Sequence, residues 1–225
     1  MVQIKVLDKG FVELIDCLGS DQRVVDAARV STGTRGDPEQ DAQLIRYLMK
    51  NRHETPFEKV VFEFHIKCPL FVARQWFRHR ISSFNERSAR YRVFDEEFYT
   101  PQLSDLPQCY SKEDLAEYIS ALEAQYKVYK KLYKKAEFNP EWRKRAREVW
   151  RGLLGTSYYT EFFWTVNFRS LMNFLDLRLD LAAQFEIRQF AKAIQKLIRD
   201  SGKIPWSLTA FEERLKTKES SSLTK

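Results

Sequence analysis

The stretch RHRISSFNERSARY, from Arg78 to Tyr91, concentrates polar functional groups at the end of a predicted helix. It combines arginines and serine hydroxyls with one amide, Asn85, and one carboxylate, Glu86. Arginine forks and hydroxyls suit phosphate oxygens, while amides and carboxylates suit the edge of a base. Cations near a helix C-terminus can also do no more than complement the helix dipole. Residue types alone leave both interpretations open.

The residues just before this stretch predict a helix that presents polar groups beside it. Pro69 suits the first helical position, and the helix is expected to continue to about His79. Phe71, Gln75 and Arg78 share one face because they are four and three residues apart. We therefore expect Gln75 and Arg78 to reach a common ligand.

The N-terminal third predicts a hairpin, a helix and a further strand. Two β-prone runs, Ile4–Asp8 and Phe11–Cys17, are separated by Lys9-Gly10 and predict the hairpin. Asp37-Pro38-Glu39-Gln40 is a capping pattern that predicts a helix. Thr55-Pro56-Phe57-Glu58 repeats the pattern, but alternating apolar residues follow it at once. A strand should therefore begin after a single helical turn.

The C-terminal half predicts long helices around one strand. The run from Ser111 to about Phe138 and a second run from Pro140 predict an antiparallel helix pair. Tyr158–Val166 is β-rich, and Asn167 after it suits the N-cap of a helix. A last helix is predicted from about Leu181 to Ser201, where a glycine stops it.

Length and composition predict one globular domain. The chain has 225 residues, 44% hydrophobic and 31% charged, with seven Gly and seven Pro. We expect a single catalytic domain over residues 1–214 and a mobile polar tail over residues 215–225. The sequence shows neither a membrane-spanning run nor a secretory signal, so we expect a cytoplasmic protein without a membrane partner.

The spacing of the cysteines and the net charge limit the kinds of ligand that the protein is expected to bind. Cys17, Cys68 and Cys109 lack metal-site and CxxC spacing, which predicts reduced thiols and no metal. A net charge of +7 favours an anionic partner, either nucleic acid, an anionic membrane or a phosphorylated small molecule. The sequence contains no GxGxxG or GxxxxGK[ST] motif, so a bound nucleotide would need neither a Rossmann turn nor a P-loop.

The order of residues from Arg78 to Arg90 resembles the signature of flavin-dependent thymidylate synthases, RHRxxSxNExSxR, with every fixed position filled. The region from Cys109 to Arg145 resembles the family least, and Gly155 stands where family members often have Pro. Further blocks carry the resemblance along the chain: ARVS at 28–31, HETPFE at 53–58, FVARQWFRHR at 71–80 and FFWTVNFRSLMNFLDLR at 162–178.

The resemblance implies an α+β fold with a mixed β-sheet and a bundle of long helices, in agreement with the elements above. It also implies reductive methylation of dUMP to dTMP, with 5,10-methylenetetrahydrofolate as carbon donor and NADPH-reduced FAD as hydride source. No enzyme nucleophile is needed, because the cofactor carries the difficult chemistry. A homotetramer with active sites shared between subunits is a further implication.

The resemblance also implies roles for individual residues. The cofactor-binding residues it implies are Ser31, His53, Thr55, Glu58, Arg78, His79, Arg80, Ile81, Glu86, Asn167, Arg169 and Asn173. The substrate-binding residues it implies are Gln75, Arg78, Glu86, Arg87, Ser88, Ala89, Arg90, Arg151 and Arg178. Among these, Ser88 and Arg90 suit the dianionic phosphate of dUMP.

We expect Arg178 to be the catalytic residue. A guanidinium beside the uracil edge stabilises negative charge that develops on the ring. Without the resemblance, Arg178 would be interpreted as a surface arginine in a leucine-rich helix. For His53 two interpretations stay open, a residue that positions flavin or folate and a structural histidine. Cys109 is the one faint candidate for a nucleophile, but its neighbours offer no activating base or cation. Ser88 likewise has no base placed beside it by sequence, so we assign it to binding.

Two other classes of function compete with the enzyme. A nucleic-acid-binding module is consistent with the net charge and with aromatic residues near the arginines. It predicts affinity that grows with strand length and falls steeply with salt, whereas the enzyme selects a mononucleotide and carries flavin; we expect no nucleic-acid partner. A metal hydrolase would use His53, His65 and His79, but their spacing is unlike that of metal ligands.

Overall fold

The computed structural model of the protein describes residues 2–33 and 35–222, with the backbone alone for 219–222. Within these residues a five-stranded sheet has the order β1-β2-β3-β5-β4. The strands are β1 Val2–Val6, β2 Gly10–Leu18, β3 Val61–Pro69, β4 Ser83–Glu86 and β5 Tyr159–Asn167. Its strand pairings are all antiparallel, which corrects the expected mixed sheet.

Helices account for most of the remaining chain, and the α+β class is confirmed. The helices are α1 Asp21–Arg29, α2 Pro38–Lys50, α3 Leu70–Trp76, α4 Lys112–Lys134, α5 Pro140–Trp150, α6 Phe168–Arg178, α7 Phe185–Ser201 and α8 Pro205–Ser222. Short 3-10 turns cover Thr55–Lys59, Leu103–Asp105 and Arg151–Leu153. None of the helices in the described ranges is long and apolar enough to cross a bilayer.

Local capping signals set the starts of several helices. Asp37 accepts a hydrogen bond from the Gln40 amide, and the Gln40 side chain bonds back to the Asp37 amide, so the capping box predicted for α2 is confirmed. Asn167 Oδ1 accepts from the Ser170 amide at 2.9 Å and caps α6 as predicted. Gly202 ends α7 with a φ of 62°, a left-handed conformation that glycine adopts without strain.

An aromatic core lies under one face of the sheet. Phe62 and Phe64 of β3 and Phe162 and Trp164 of β5 are buried on that face, as period-2 alternation requires. Trp76 packs edge-on against Phe162 and Trp164, at centroid distances of 5.5 and 5.3 Å. Burying each such ring contributes roughly 1.5–3 kcal/mol. This core therefore fixes α3 against the strand that pairs with β4.

A second, smaller core holds the helix pair α4–α5 against the rest of the chain. Tyr126 and Tyr129 of α4 pack with Phe98 and Tyr158, which are also buried. The Tyr126 hydroxyl donates to the Phe94 carbonyl at 3.0 Å. The helix pair therefore borders the segment that follows the arginine-rich stretch.

The boundaries of three predicted elements differ in the structure. The helix α3 ends at Trp76, so Arg78 lies in the following turn and does not share a helix face with Gln75. The helix α7 was predicted to begin at about Leu181 but begins at Phe185, and the residues just before it form a turn. Helix α8 continues to Ser222, so residues 215–222 of the expected tail are helical, and 223–225 lie outside the described residues.

Candidate active site

The strand β4 anchors the arginine-rich stretch at the edge of the sheet. Its residues Ser83–Glu86 pair with Phe162–Thr165 of β5. The Phe84 ring contacts Phe77 at a centroid distance of 4.8 Å and stacks on Trp164 at 6.2 Å. The turn at Arg78–Arg80 is therefore held between α3 and β4, and the chain after Glu86 leaves the sheet as a loop.

A cavity of about 410 Å³ lies where this loop meets the 3-10 turn that follows α5. Predicted substrate-binding residues line it together: Glu86, Arg87, Ser88, Ala89 and Arg151. The other lining residues are Leu70, Phe94, Leu154 and Thr160. The cavity thus combines two guanidinium groups, two hydroxyls and the Glu86 carboxylate with apolar walls, and the guanidinium and hydroxyl groups suit a phosphorylated small molecule.

Glu86 reaches the cavity from the end of β4. Its Oε1 accepts a hydrogen bond from the buried Thr160 hydroxyl at 2.8 Å. Although the residue as a whole is exposed, desolvation of its carboxyl raises the pKa, and the Thr160 hydrogen bond partly offsets this. Thr160 therefore fixes the position and moderates the protonation of Glu86.

Arg87 is engaged within the chain itself. Its guanidinium lies 3.5 Å from Glu161 Oε1 and 3.3 Å from Asp95 Oδ2. It also stacks on the Phe94 ring at 4.6 Å from the centroid. These contacts pin the loop to β5, so a contribution of Arg87 to ligand binding stays a prediction.

Arg90 lies at the edge of this group. Its backbone amide donates to Ser88 Oγ at 3.3 Å, which turns the loop tightly. Its guanidinium lies 3.4 Å from Glu148 Oε1 on α5 and is 46% exposed. A partly exposed ion pair of this kind is weak, so the guanidinium is available to a stronger anion such as a phosphate.

Arg178 and His79 form a second group, on the side of α6. Arg178 Nε donates to His79 Nε2 at 3.2 Å, and Arg178 Nη2 donates to the Gln75 carbonyl at 3.4 Å. Burial, and then the charge of Arg178, lower the pKa of His79 to about 4. His79 is therefore neutral near pH 7, and Arg178 keeps an uncompensated positive charge. Gln75 bonds to Gln184 through its side chain.

A third group joins α6 to the Thr55–Lys59 turn. Arg169 Nη1 lies 2.6 Å from Glu58 Oε1, and Arg169 Nε lies 3.5 Å from Glu54 Oε2. Asn173 is exposed one turn further along α6. Predicted cofactor residues from two distant parts of the sequence, Glu58 and Arg169, are thus in contact.

The remaining predicted cofactor residues are exposed around these groups. Ile81 has 76% of its surface exposed, and Arg78 and Arg80 are exposed on either side of His79. Within residues 2–33 and 35–222, neither arginine has a side-chain partner. Ser31 and Thr55 are also exposed, and His53 contacts Tyr47 edge-on at 6.0 Å.

The cysteines and histidines form no competing site. Cys17, Cys68 and Cys109 are free thiols. Burial raises the pKa of Cys17 to about 11 and holds that of Cys68 well above its ordinary value, so these two thiols are not activated. No group of His, Cys, Asp or Glu suited to a metal ion occurs in the described ranges.

Comparison with known proteins assigns the family. The family model described as thymidylate synthase complementing protein matches residues 13–202. The chain belongs to the thymidylate synthase complementing protein family. Flavin-dependent thymidylate synthases from Thermosipho melanesiensis and Thermotoga neapolitana are 48% and 49% identical to it; alignments cover 93% of this chain and 93% and 94% of theirs.

A solved structure of a relative supports the same assignment. The UMP/dUMP methylase PolB from Streptomyces cacaoi, bound with 5-Br dUMP, is 32% identical, with a TM-score of 0.78. The alignment covers 93% of this chain and 97% of that one. The family fold is therefore shared over nearly the whole length of both proteins.

Within this family member, predicted ligand residues fall into separate groups. Glu86–Ala89 and Arg151 line the cavity, whereas Arg178 and Gln75 lie beside His79 and do not line it. Two residues of the site were missed. Glu54 lies in the HETPFE block and offered a signal, whereas Thr160 resembles any strand threonine and offered none.

Proposed function

We propose that this protein is a flavin-dependent thymidylate synthase that converts dUMP to dTMP. The observation that carries the proposal is the cavity lined by Glu86–Ala89 and Arg151, which unites residues of the arginine-rich stretch with a distant arginine. The names of the relatives support the flavin dependence, and the methylase structure with 5-Br dUMP supports the pyrimidine nucleotide.

The cavity supplies groups suited to a nucleotide phosphate. Ser88 and Arg151 line it, and Arg90 is free to exchange its weak pair with Glu148 for a phosphate oxygen. The uracil ring would lie toward Gln75 and Arg178. Arg178 would stabilise negative charge on the ring, because the neutral His79 beside it leaves the guanidinium charge uncompensated.

The residues around His79 fit FAD. Arg78 and Arg80 are exposed cations without partners in the described ranges, as binding to a pyrophosphate requires, and exposed Ile81 offers an apolar contact for a ring. Ser31, His53, Thr55, Glu58, Glu86, Asn167, Arg169 and Asn173 complete the proposed set. When bound, FAD supplies the hydride, and 5,10-methylenetetrahydrofolate supplies the carbon. The chain's residues bind and orient these groups and need supply no nucleophile.

The proposal extends to the reductant and the assembly. We assign NADPH as the reductant that recharges FAD, and a cytoplasmic homotetramer as the working form. Substrate residues in separate groups are consistent with a site completed by a second chain.

The test is a flavin assay on the purified protein. We expect a flavin absorbance spectrum, bleaching by NADPH without oxygen, and reoxidation on addition of dUMP with methylenetetrahydrofolate as dTMP forms. Absence of bound flavin even after FAD is supplied would overturn the proposal. Binding that strengthens with the length of an oligonucleotide and weakens with salt would then favour the nucleic-acid module.

A further inference from the structure

A groove of about 580 Å³ lies between α2 and α8, and its lining differs from that of the cavity beside Glu86. Met49 and Ala210 give it an apolar lining. Its cations are Arg46, Lys50, Arg52, Arg214 and Lys218. None of these residues has a role in the site described above, yet such a concentration of positive charge around apolar surface suits an anionic ligand.

The cations form two rows. Arg46 and Lys50 are four residues apart on α2, and Arg214 and Lys218 are four residues apart on α8. Side chains at this spacing are neighbours on one helix face, about 5–6 Å apart at Cβ. Positively charged side chains therefore repeat along both walls of the groove.

Three ion pairs fix the walls: Arg46–Glu213 at 3.8 Å, Arg214–Glu54 at 2.9 Å and Lys218–Asp176 at 2.9 Å. Lys50 has no side-chain partner among residues 2–33 and 35–222. Arg52 is 69% exposed on its side chain and reaches Glu54 only at 4.0 Å. These two cations are therefore the ones left for a ligand.

The groove adjoins the proposed flavin residues. The carboxylate of Glu54 bonds Arg214 in the groove wall and also pairs with Arg169. On the same helix as Arg169, Asp176 accepts from Lys218. A ligand whose ring lies at the flavin could therefore extend its far end into the groove.

We propose that the groove binds the oligoglutamate tail of the folate co-substrate. This inference rests on the proposed function, because carbon transfer requires the folate ring to lie beside the flavin and the substrate. An oligoglutamate tail carries a carboxylate on every residue, so successive carboxylates can reach Lys50 and Arg52, and its methylene groups suit the apolar lining. A single phosphate on the reductant carries no methylene groups for the apolar lining.

The experiment compares monoglutamyl and tetraglutamyl methylenetetrahydrofolate in the flavin-loaded enzyme. The variant is Lys50→Gln with Arg52→Gln, and the matched control is Lys5→Gln with Lys127→Gln, which removes the same charge from exposed positions elsewhere. We expect the KM for the tetraglutamyl folate to rise about tenfold in the groove variant, the scale of losing a charge-assisted hydrogen bond. Its kcat, its KM for the monoglutamyl folate and its melting temperature should match the control.

Other outcomes overturn the assignment. If the groove variant changes the KM equally for both folates, or for neither, the groove does not bind the oligoglutamate tail. If the groove variant instead has a raised KM for NADPH but not for NADH, and unchanged KM values for both folates, the groove binds the phosphate of the reductant. A wild-type enzyme that forms no dTMP even from the monoglutamyl folate would instead overturn the proposed function, a result separable from the effect of tail length.

Discussion

Arg178 differs from a solvent-facing helix arginine because both of its neighbours orient it. It donates to His79 Nε2 and to the Gln75 carbonyl, and burial lowers its pKa without removing its charge. We predict that Arg178→Ala binds as much FAD per chain as the wild type. It should form dTMP about a hundredfold or more slowly, the scale of losing an electrostatic stabiliser. Flavin content and single-turnover dTMP formation measure the two effects.

Arg23→Ala is the matched control for Arg178→Ala, since Arg23 is an exposed arginine on the helix α1. It should retain full turnover. Arg178→Lys should recover part of the rate, because lysine keeps the charge but lacks the planar fork. Turnover near the wild-type value in Arg178→Ala would remove Arg178 from the mechanism.

His79 gives the protein a pH dependence whose sign follows from its environment. Burial and the charge of Arg178 hold the His79 pKa at about 4, below its ordinary value of 6.5. Between these two values the unfolded chain binds the proton more readily, so stability is complete above pH 6.5 and declines as the pH falls toward 4. Chemical denaturation across this range should show the decline.

The variant His79→Gln isolates this contribution. A glutamine oxygen can still accept from Arg178, but it does not titrate, so the variant should lose stability less steeply between pH 6.5 and 4 than the wild type. An imidazole titration followed by NMR in Arg178→Ala should show a higher pKa for His79. Identical slopes for His79→Gln and wild type would contradict the assignment.

At the scale of elements, the pairing of β4 with β5 sets the position of Glu86. Thr160 of β5 is buried and donates to Glu86 Oε1. Thr160→Val keeps the shape but removes this hydrogen bond, so Glu86 should move and its pKa should rise further. We predict that the KM for dUMP rises about tenfold. Thr165→Val on the same strand is the control and should leave the KM unchanged.

Elements with a local signal were predicted from sequence, and elements without one were not. The capping box at Asp37 and the N-cap at Asn167 each lie within a few residues of the bonds that they make. The strand β4 exists because it pairs with β5, which lies far along the chain, and nothing local in Ser83–Glu86 predicts it. His79 and Arg178 are 99 residues apart in the sequence, so no local pattern predicted the contact between them either.

The candidate site shows the same division. Residue types in the Arg78–Arg90 stretch left open whether they bind an anion or only complement a helix dipole, and the resemblance named the individual ligands. Which of them share a cavity depends on how α5, β4 and β5 pack, and the sequence carries no direct record of that packing. Arg87 illustrates the difference, because its ion pairs with Asp95 and Glu161 are visible only in the folded chain.

At the scale of the whole molecule, the separation of Arg178 from the cavity calls for an explanation. Ser88 and Arg151 line that cavity, whereas Arg178 lies beside His79 and does not. A site that requires both groups is completed either by movement within one chain or by a second chain of a symmetric oligomer. The two alternatives make opposite predictions for mixtures of inactive variants.

We predict that Arg178→Ala and Arg151→Ala, each nearly inactive alone, recover activity when they are mixed and their subunits exchange. If one site takes Arg178 from one chain and Arg151 from its partner, random exchange at equal amounts makes about a quarter of the sites fully wild type, hence about a quarter of the wild-type rate. The two variants would carry different tags. Finding both tags in one oligomer, isolated by size-exclusion chromatography with light scattering, would verify that subunits had exchanged. Mixing Arg178→Ala with the double variant Arg178→Ala/Arg151→Ala is the control and should recover nothing. No recovery in verified mixed oligomers would mean that each chain supplies both arginines to its own site, and the two groups would then have to approach each other by movement within the chain.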